Sequence, residues 1–319
     1  MTVQEAYKQL QLQLCVLNDD REAANIADLV IEHITGWRGV DRIVHKHVIL
    51  SNQQQLLLDG YTQQLLKHTP VQYVLREAWF AGMKFYVDEN VLIPRPETEE
   101  LAEWISSFPV SGFQFIVNEK EIVADITDRN KTQSPATGNL QPVTLLDIGT
   151  GSGCVPVALK KKFNDWNVHA VDVSQGALEV AKKNALFQRT EINFHLLDIL
   201  DETAWQRLPM FDIIVSNPPY IKKSEAAAMQ DNVLAFEPHT ALFVPDEDAL
   251  LFYRKIADFA LLHLNENGLL FFEINESLGD EVCALLVSKG FSDIELRLDL
   301  QGKDRMVKGR RMLMQCRDI

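Results

Sequence analysis

The chain has 319 residues, 46% of them hydrophobic and 24% charged, which is the make-up of a soluble globular protein of about two domains. A formal net charge of −14 argues against an extended nucleic-acid footprint, which needs a basic face, though a local basic patch remains open. The four cysteines are scattered, with no CxxC pair, which argues against a zinc site or a disulfide framework and suits a reducing cytoplasm. No apolar run approaches the roughly 18–20 residues of a membrane span and no signal-type apolar core opens the chain, so a soluble, cytoplasmic protein is expected.

Residues 1–75 carry apolar positions at three- and four-residue spacing in "EAYKQLQLQLCVL", "DREAANIADLVIEHITG" and "SNQQQLLLDGYTQQLLKH", and are predicted as a small helical bundle that docks a partner. Asp19 or Asp20 and Ser51 are expected N-caps, while Gly36 and Gly60 are expected to interrupt or end helices. His33, His45 and His47 lack the spacing of metal ligands and are read as surface or satisfied histidines. In residues 76–100, "WFAGMKFYV" followed by "DENVLI" predicts a linking β-hairpin with Asp88, Glu89 and Asn90 at its turn. "PRPETEELAEWI" then opens a helix, with Pro96 at its first position and Glu97, Glu99 and Glu100 near its positive end. Residues 109–142 alternate like a strand and then turn polar. They are read as an insertion, a hairpin or flap without a catalytic signal.

From residue 143 strands and helices alternate, which predicts an α/β domain over 101–319 with a mostly parallel sheet covered on both faces. Two late strands, "DIELRLDL" and "RRMLMQC", joined by a loop "QGKDRMVKG", are expected to add one antiparallel edge. Ligands of such sheets bind beyond the carboxyl ends of the strands.

Two segments lie there. "DIGTGSGC" follows the first strand and places glycines at 149, 151 and 153. A dinucleotide fingerprint would need glycine at position 154, where Cys154 stands, and the Gly-Lys-Ser/Thr of a P-loop is absent. Gly-x-Gly-x-Gly after an aspartate is the pattern of S-adenosylmethionine (SAM) methyltransferases, although a structural strand-to-helix turn would look similar. Asp172, closing the second strand, suits two ribose hydroxyls in NAD and SAM sites alike, and Asp198, closing the third, could border an adenine.

The second segment is "SNPPYI", directly after the apolar run "FDIIV". Each proline fixes its own φ and pushes the residue before it into the extended region, so Asn217 and Pro218 are held stiffly. Asn217 Oδ1 and the Pro218 carbonyl then form a rigid pair of acceptors suited to the two hydrogens of a planar NH2 group. Such a nitrogen is a poor nucleophile because its lone pair is delocalised. Held at both hydrogens, it aims that lone pair at a sulfonium methyl, and both hydrogen bonds strengthen as positive charge grows on nitrogen. Tyr220 offers a face for packing against the planar group, and no general base is required.

These residues carry a family resemblance. "FAGMKFYVDENVLIPRPETEELAEWI", "LLDIGTGSGC", "VSNPPYI", "FEPHTALFVPDEDALLFYRKI" and "DLQGKDRMVKGR" resemble the HemK/PrmC family, the glutamine-N5 methyltransferases of peptide chain release factors. The resemblance covers most of the chain. It implies a Rossmann-like class I SAM-dependent methyltransferase sheet domain, joined by a β-hairpin to a small N-terminal helical-bundle domain. The implied cofactor is SAM, leaving as S-adenosyl-L-homocysteine, with no metal. The implied substrate is the glutamine of the Gly-Gly-Gln loop of bacterial class-1 release factors. Separately, a monomer with no membrane partner and no direct nucleic-acid binding is expected. By position, Gly149, Thr150, Gly151, Ser152, Gly153 and Asp172 would hold SAM, with Asp198 and Ile199 at the adenine. Asn217, Pro218, Pro219 and Tyr220 would hold the glutamine amide, Asn217 also lying near the methyl donor. The chain departs from the family pattern at Ile199, where relatives often have an aromatic, in the length of 109–142, and in "FEINESLGD", where relatives often show Glu-x-Gly and a nearby Gln. Two other readings stand beside this one. An adenine-N6 DNA or RNA methyltransferase would use the same two acceptors but needs base flipping and phosphate contacts. A non-catalytic SAM-fold binding module would be expected to have lost the glycines or Asn217.

Overall fold

The computed structural model describes residues 1–108, 142–228 and 231–312, so the expected insertion, Pro142 apart, lies outside the described residues. Five helices open the chain: α1 (Val3–Leu14), α2 (Asp20–Thr35), α3 (Gly39–Val44), α4 (Asn52–Leu65) and α5 (Val71–Leu75). Local chemistry sets their ends. Thr2 with Glu5 and Ser51 with Gln54 form reciprocal capping boxes, Asp19 caps α2, and Gly36 ends α2 in the left-handed conformation. Gly60 does not break α4. Burial of Leu58 and Leu65 outweighs the roughly 1 kcal/mol that an internal glycine costs. The apolar stripes meet in one core that includes Leu10, Leu14, Val30, Ile31, Leu58 and Val74.

The hairpin is β1 (Ala78–Phe80) and β2 (Met83–Phe85), paired antiparallel. Its turn falls at Ala81 and Gly82, not at Asp88 to Asn90 as the sequence suggested. Both turn residues have positive φ, +48° and +71°, the two-residue geometry that matches the strand twist. Asp88 instead folds a tight turn, its Oδ1 accepting from the Asn90 backbone (3.0 Å) and side chain (2.9 Å). That turn delivers Val91 and Ile93 into a small core with Tyr73, Val87, Ala177 and Val180. Helix α6 (Pro96–Ser106) follows with Pro96 in its first turn.

The remaining chain runs β3 (Thr144–Ile148), α7 (Cys154–Lys162), β4 (Asn167–Asp172), α8 (Gln175–Gln188), β5 (Asn193–Leu196), β6 (Phe211–Ser216), β7 (Ile221–Lys222), α9 (Asp231–Phe236), β8 (Phe243–Val244), α10 (Leu251–His263), β9 (Leu264–Glu273), α11 (Gly279–Ser288), β10 (Phe291–Leu298) and β11 (Asp304–Arg311). Seven strands form one sheet in the order β10-β11-β9-β6-β3-β4-β5, and only β11 runs against its neighbours. The last strand corrects the sequence reading. It begins at Asp304, inside the expected loop, and ends at Arg311; residues 313–316 of the expected strand lie outside the described residues. Lysine and arginine hid the strand, because their ends reach acids on β10: Lys308 Nζ lies 2.8 Å from Glu295 Oε2 and Arg310 Nε 2.7 Å from Asp293 Oδ2.

Alternate residues of the buried strands face opposite cores. Leu146, Ile148, Ile214, Leu270 and Phe272 pack with Ile256 and Phe259 of α10 and Val282 of α11. Leu145, Ile213, Val215 and Phe271 pack with Leu101 and Trp104 of α6 and Val157 of α7. The chain leaves β3 toward β4 and β5, then crosses back to β6 and β9, so the order reverses between β3 and β6. Ile148 and Ser216 are paired there, and Ser216 Oγ donates to the Ile148 carbonyl at 2.7 Å. The register therefore releases Gly149 and Asn217 side by side at the point where such sheets bind ligands. No helix among the described residues is long and apolar enough to cross a membrane.

Candidate active site

Gly149, Gly151 and Gly153 all have positive φ, between +52° and +77°, so the loop after β3 takes a path that other residues follow only under strain. A Cβ on Gly153 would lie 3.0 Å from that of Ala181, so this glycine seats the loop on α8. Asp172, at the end of β4, accepts from the Gly151 amide through Oδ2 and from the Ser174 amide through Oδ1, each at 2.9 Å. Burial raises its pKa, against those amides. Asn184 on α8 is fully buried. It gives its NH2 to the carbonyls of Ser152 and Tyr86 (both 2.9 Å) and takes the Tyr86 amide on Oδ1 (2.7 Å), which ties the glycine loop to the end of the hairpin.

One cleft gathers most of the expected residues. Gly149, Thr150, Gly151, Ser152, Asp172, Asp198, Ile199, Asn217, Pro218 and Pro219 all line it. Gly153 and Tyr220 are outside its wall. Gly153 faces Ala181, and the Tyr220 hydroxyl points to Glu273 Oε1 at 3.4 Å. Asp198 is exposed at the rim and takes the Leu200 amide at 2.9 Å; Ile199 is buried, its carbonyl accepting from Trp205 Nε1 at 2.9 Å. Among the described residues, neither Asn217 Oδ1 nor the Pro218 carbonyl accepts a hydrogen bond.

Several residues here were given no role by the sequence reading. Asn217 Nδ2 donates to Thr98 Oγ1 at 3.1 Å, and Thr98 Oγ1 donates to Glu273 Oε2 at 2.6 Å. Glu273 is buried, and burial pushes its carboxyl up to about 7. Burial does the same to Asp147, whose carboxyl in the cleft wall also rises to about 7, with the Asp172 charge adding. It lifts the Cys154 thiol to about 12, which makes that group a poor nucleophile. On the outer wall, Arg95 Nη2 meets the buried Glu237 Oε1 at 2.6 Å, so "PRPE" is clamped to "FEPH". Glu273 closes the apolar run "GLLFFE", a position that marks the end of a buried strand but by itself assigns the carboxylate no role. Thr98 carried no signal either, since it reads as an ordinary first-turn helix residue.

Residues 137–236 match the model of the methyltransferase small domain, and residues 5–75 match the model of the PrmC N-terminal domain. The chain is 39% identical to the release factor glutamine methyltransferase of Flavobacterium psychrophilum, over 97% of this chain and 99% of that relative. It belongs to the release factor glutamine methyltransferase family. Members from Bacteroides thetaiotaomicron (36% identical over 91% of this chain and 93% of the relative) and Lactococcus lactis (37%, over 81% and 83%) are similar throughout. As a member of the release factor glutamine methyltransferases, the chain is a SAM-dependent enzyme, and the cleft fits that cofactor. Thr150 Oγ1 and Ser152 Oγ are buried there with no hydrogen-bond partner among the described residues, beside a glycine loop with no Cβ to obstruct a ligand.

Proposed function

We propose that this chain methylates the side-chain amide nitrogen, N5, of the glutamine in the Gly-Gly-Gln loop of class-1 release factors. Bound SAM supplies a methyl group on a positively charged sulfur, which departs as the neutral thioether S-adenosyl-L-homocysteine. Asn217 Oδ1 and the Pro218 carbonyl each accept one hydrogen of the glutamine NH2 and so direct the nitrogen lone pair at that methyl carbon. With SAM held there, the new N–C bond would form as its S–C bond breaks. Positive charge appears on nitrogen, where both acceptors stabilise it, and one N–H proton then passes to water. Orientation of this kind supplies roughly 7–11 kcal/mol in well-aligned systems. The glycine loop from Gly149 to Gly153 and Asp172 would hold the cofactor, with Asp198 and Ile199 on the side of the cleft that would take its adenine.

One observation carries this reading: two acceptors that have no partner among the described residues, Asn217 Oδ1 and the Pro218 carbonyl, stand at the sheet's switch point, directly after a strand paired to the one that launches the glycine loop. Pro219 continues the same wall, and Tyr220 supports it from behind through Glu273. We assign the helices of residues 1–75 to docking the release factor, 76–100 to the link and 101–319 to catalysis, in a cytoplasmic monomer that does not contact nucleic acid directly. Incubating the protein with SAM, a class-1 release factor and duplex DNA tests it. Mass spectrometry should find one added methyl on the Gly-Gly-Gln glutamine and none on adenine; a methyl on adenine alone would reverse the assignment.

A further inference from the structure

The two acceptors differ in how they are fixed. The Pro218 oxygen belongs to a stiff backbone, but Asn217 Oδ1 sits on a side-chain amide that could turn over and present NH2 to the substrate. Resting on the glutamine-methylation reading, we infer that Thr98 and Glu273 form a positioning relay that locks the Asn217 amide with its oxygen toward the substrate. Burial pushes the Glu273 carboxyl up to about 7, against the Thr98 hydroxyl and the Arg305 guanidinium; ionised above that pH, it only accepts hydrogen bonds, and the relay is set in that form. Thr98 has a single hydroxyl proton, and at 2.6 Å it goes to Glu273 Oε2. Its oxygen is then left as an acceptor, and the Asn217 Nδ2 group, 3.1 Å away, fills it. Turning the amide over would set Asn217 Oδ1 against an oxygen with no proton to give. The chain of donors thus runs one way, from Asn217 through Thr98 to Glu273.

The relay joins three distant stretches: the first turn of α6, the end of β6 and the end of β9. Tyr220, the last residue of the Asn-Pro-Pro-Tyr segment, closes it at Glu273 Oε1. Thr98 and Glu273 touch neither reacting atom in this scheme. They act through Asn217.

Single-turnover and steady-state assays on the full chain test the relay. Thr98→Val, nearly isosteric, should lower kcat by about tenfold to a hundredfold with SAM affinity by calorimetry unchanged, as expected when a reacting group is slightly misplaced. Thr98→Ser, which keeps the hydroxyl, should recover most of that loss, and Glu273→Leu should lower kcat in the same direction. In an Asn217→Ala background Thr98→Val should have no further effect, because the group it positions is gone. A Thr98→Val kcat within twofold of wild type, or a loss that multiplies with Asn217→Ala, overturns the relay. A readout independent of turnover is the Asn217 side-chain NH2 signal in nitrogen-15 spectra, assigned by its loss in Asn217→Ala. One proton should exchange slowly with solvent in wild type, and both should exchange fast in Thr98→Val. Equal exchange of the two in wild type overturns the relay even if the wild-type chain methylates a different substrate.

Discussion

At the residue scale, Asn217 and Glu273 lead to different predictions from neighbouring positions. Asn217→Ala removes one of the two transition-state acceptors. Turnover should fall by roughly 10²–10³, as when one preorganised hydrogen-bonding partner of developing charge is lost, while SAM binding measured by calorimetry stays within a few-fold. Glu273 shows what keeping a buried carboxylate costs. Its folded pKa, about 7, lies above the ordinary 4.5, so the fold favours the protonated form. The resulting stability is fully present at acid pH and is lost as pH rises from about 4.5 through about 7. At 1.36 kcal/mol per pKa unit this is about 3 kcal/mol. Glu273→Gln cannot ionise, so its thermal stability relative to wild type should improve between pH 5 and pH 8 in parallel melts. A difference that stays flat over that range would show that Glu273 remains ionised throughout. The sequence displayed both residues, but only Asn217 was legible as functional, because its two prolines announce a rigid acceptor. The carboxylate acts through its surroundings, which one dimension does not display.

At the scale of elements, the strand-to-helix turn after β3 has little tolerance. Gly153→Ala places a Cβ 3.0 Å from that of Ala181, at a φ of +77° that L-residues avoid. A loss of about 1–3 kcal/mol in denaturant unfolding is expected, with weaker SAM binding as the loop lifts from α8. The glycine spacing made this element legible in advance. The hairpin turn and the last strand were misplaced for opposite reasons. Ala81 adopts a positive φ that its side chain gives no hint of, and only the pairing of its flanking strands demands it. Between β9 and β10, the segment "DRMVKGRR" is held by hydrogen bonds on both sides, while its cations reach acids 13 and 17 residues back on β10. Charge hid the strand, and pairing produced it.

At the scale of the whole molecule, the cleft is closed by a contact between stretches 142 residues apart, Arg95 to Glu237. Arg95→Ala would leave the buried Glu237 without its cation, at a cost of about 3–5 kcal/mol, and would part the two loops of the outer wall. Melts should show that loss, and adding Glu237→Gln should restore part of it; restoration to nothing would mean the pair is not the clamp. By itself the sequence determined the helical opening, the α/β sheet, the glycine loop and the two stiff acceptors, since periodicity, capping, glycine placement and proline restraint all act within a few residues. Only the tertiary structure decided that Thr98, Glu273, Asn184 and the Arg95–Glu237 pair belong to the same site. Their roles are set by which groups share a buried volume, and burial brings together partners that no local rule links.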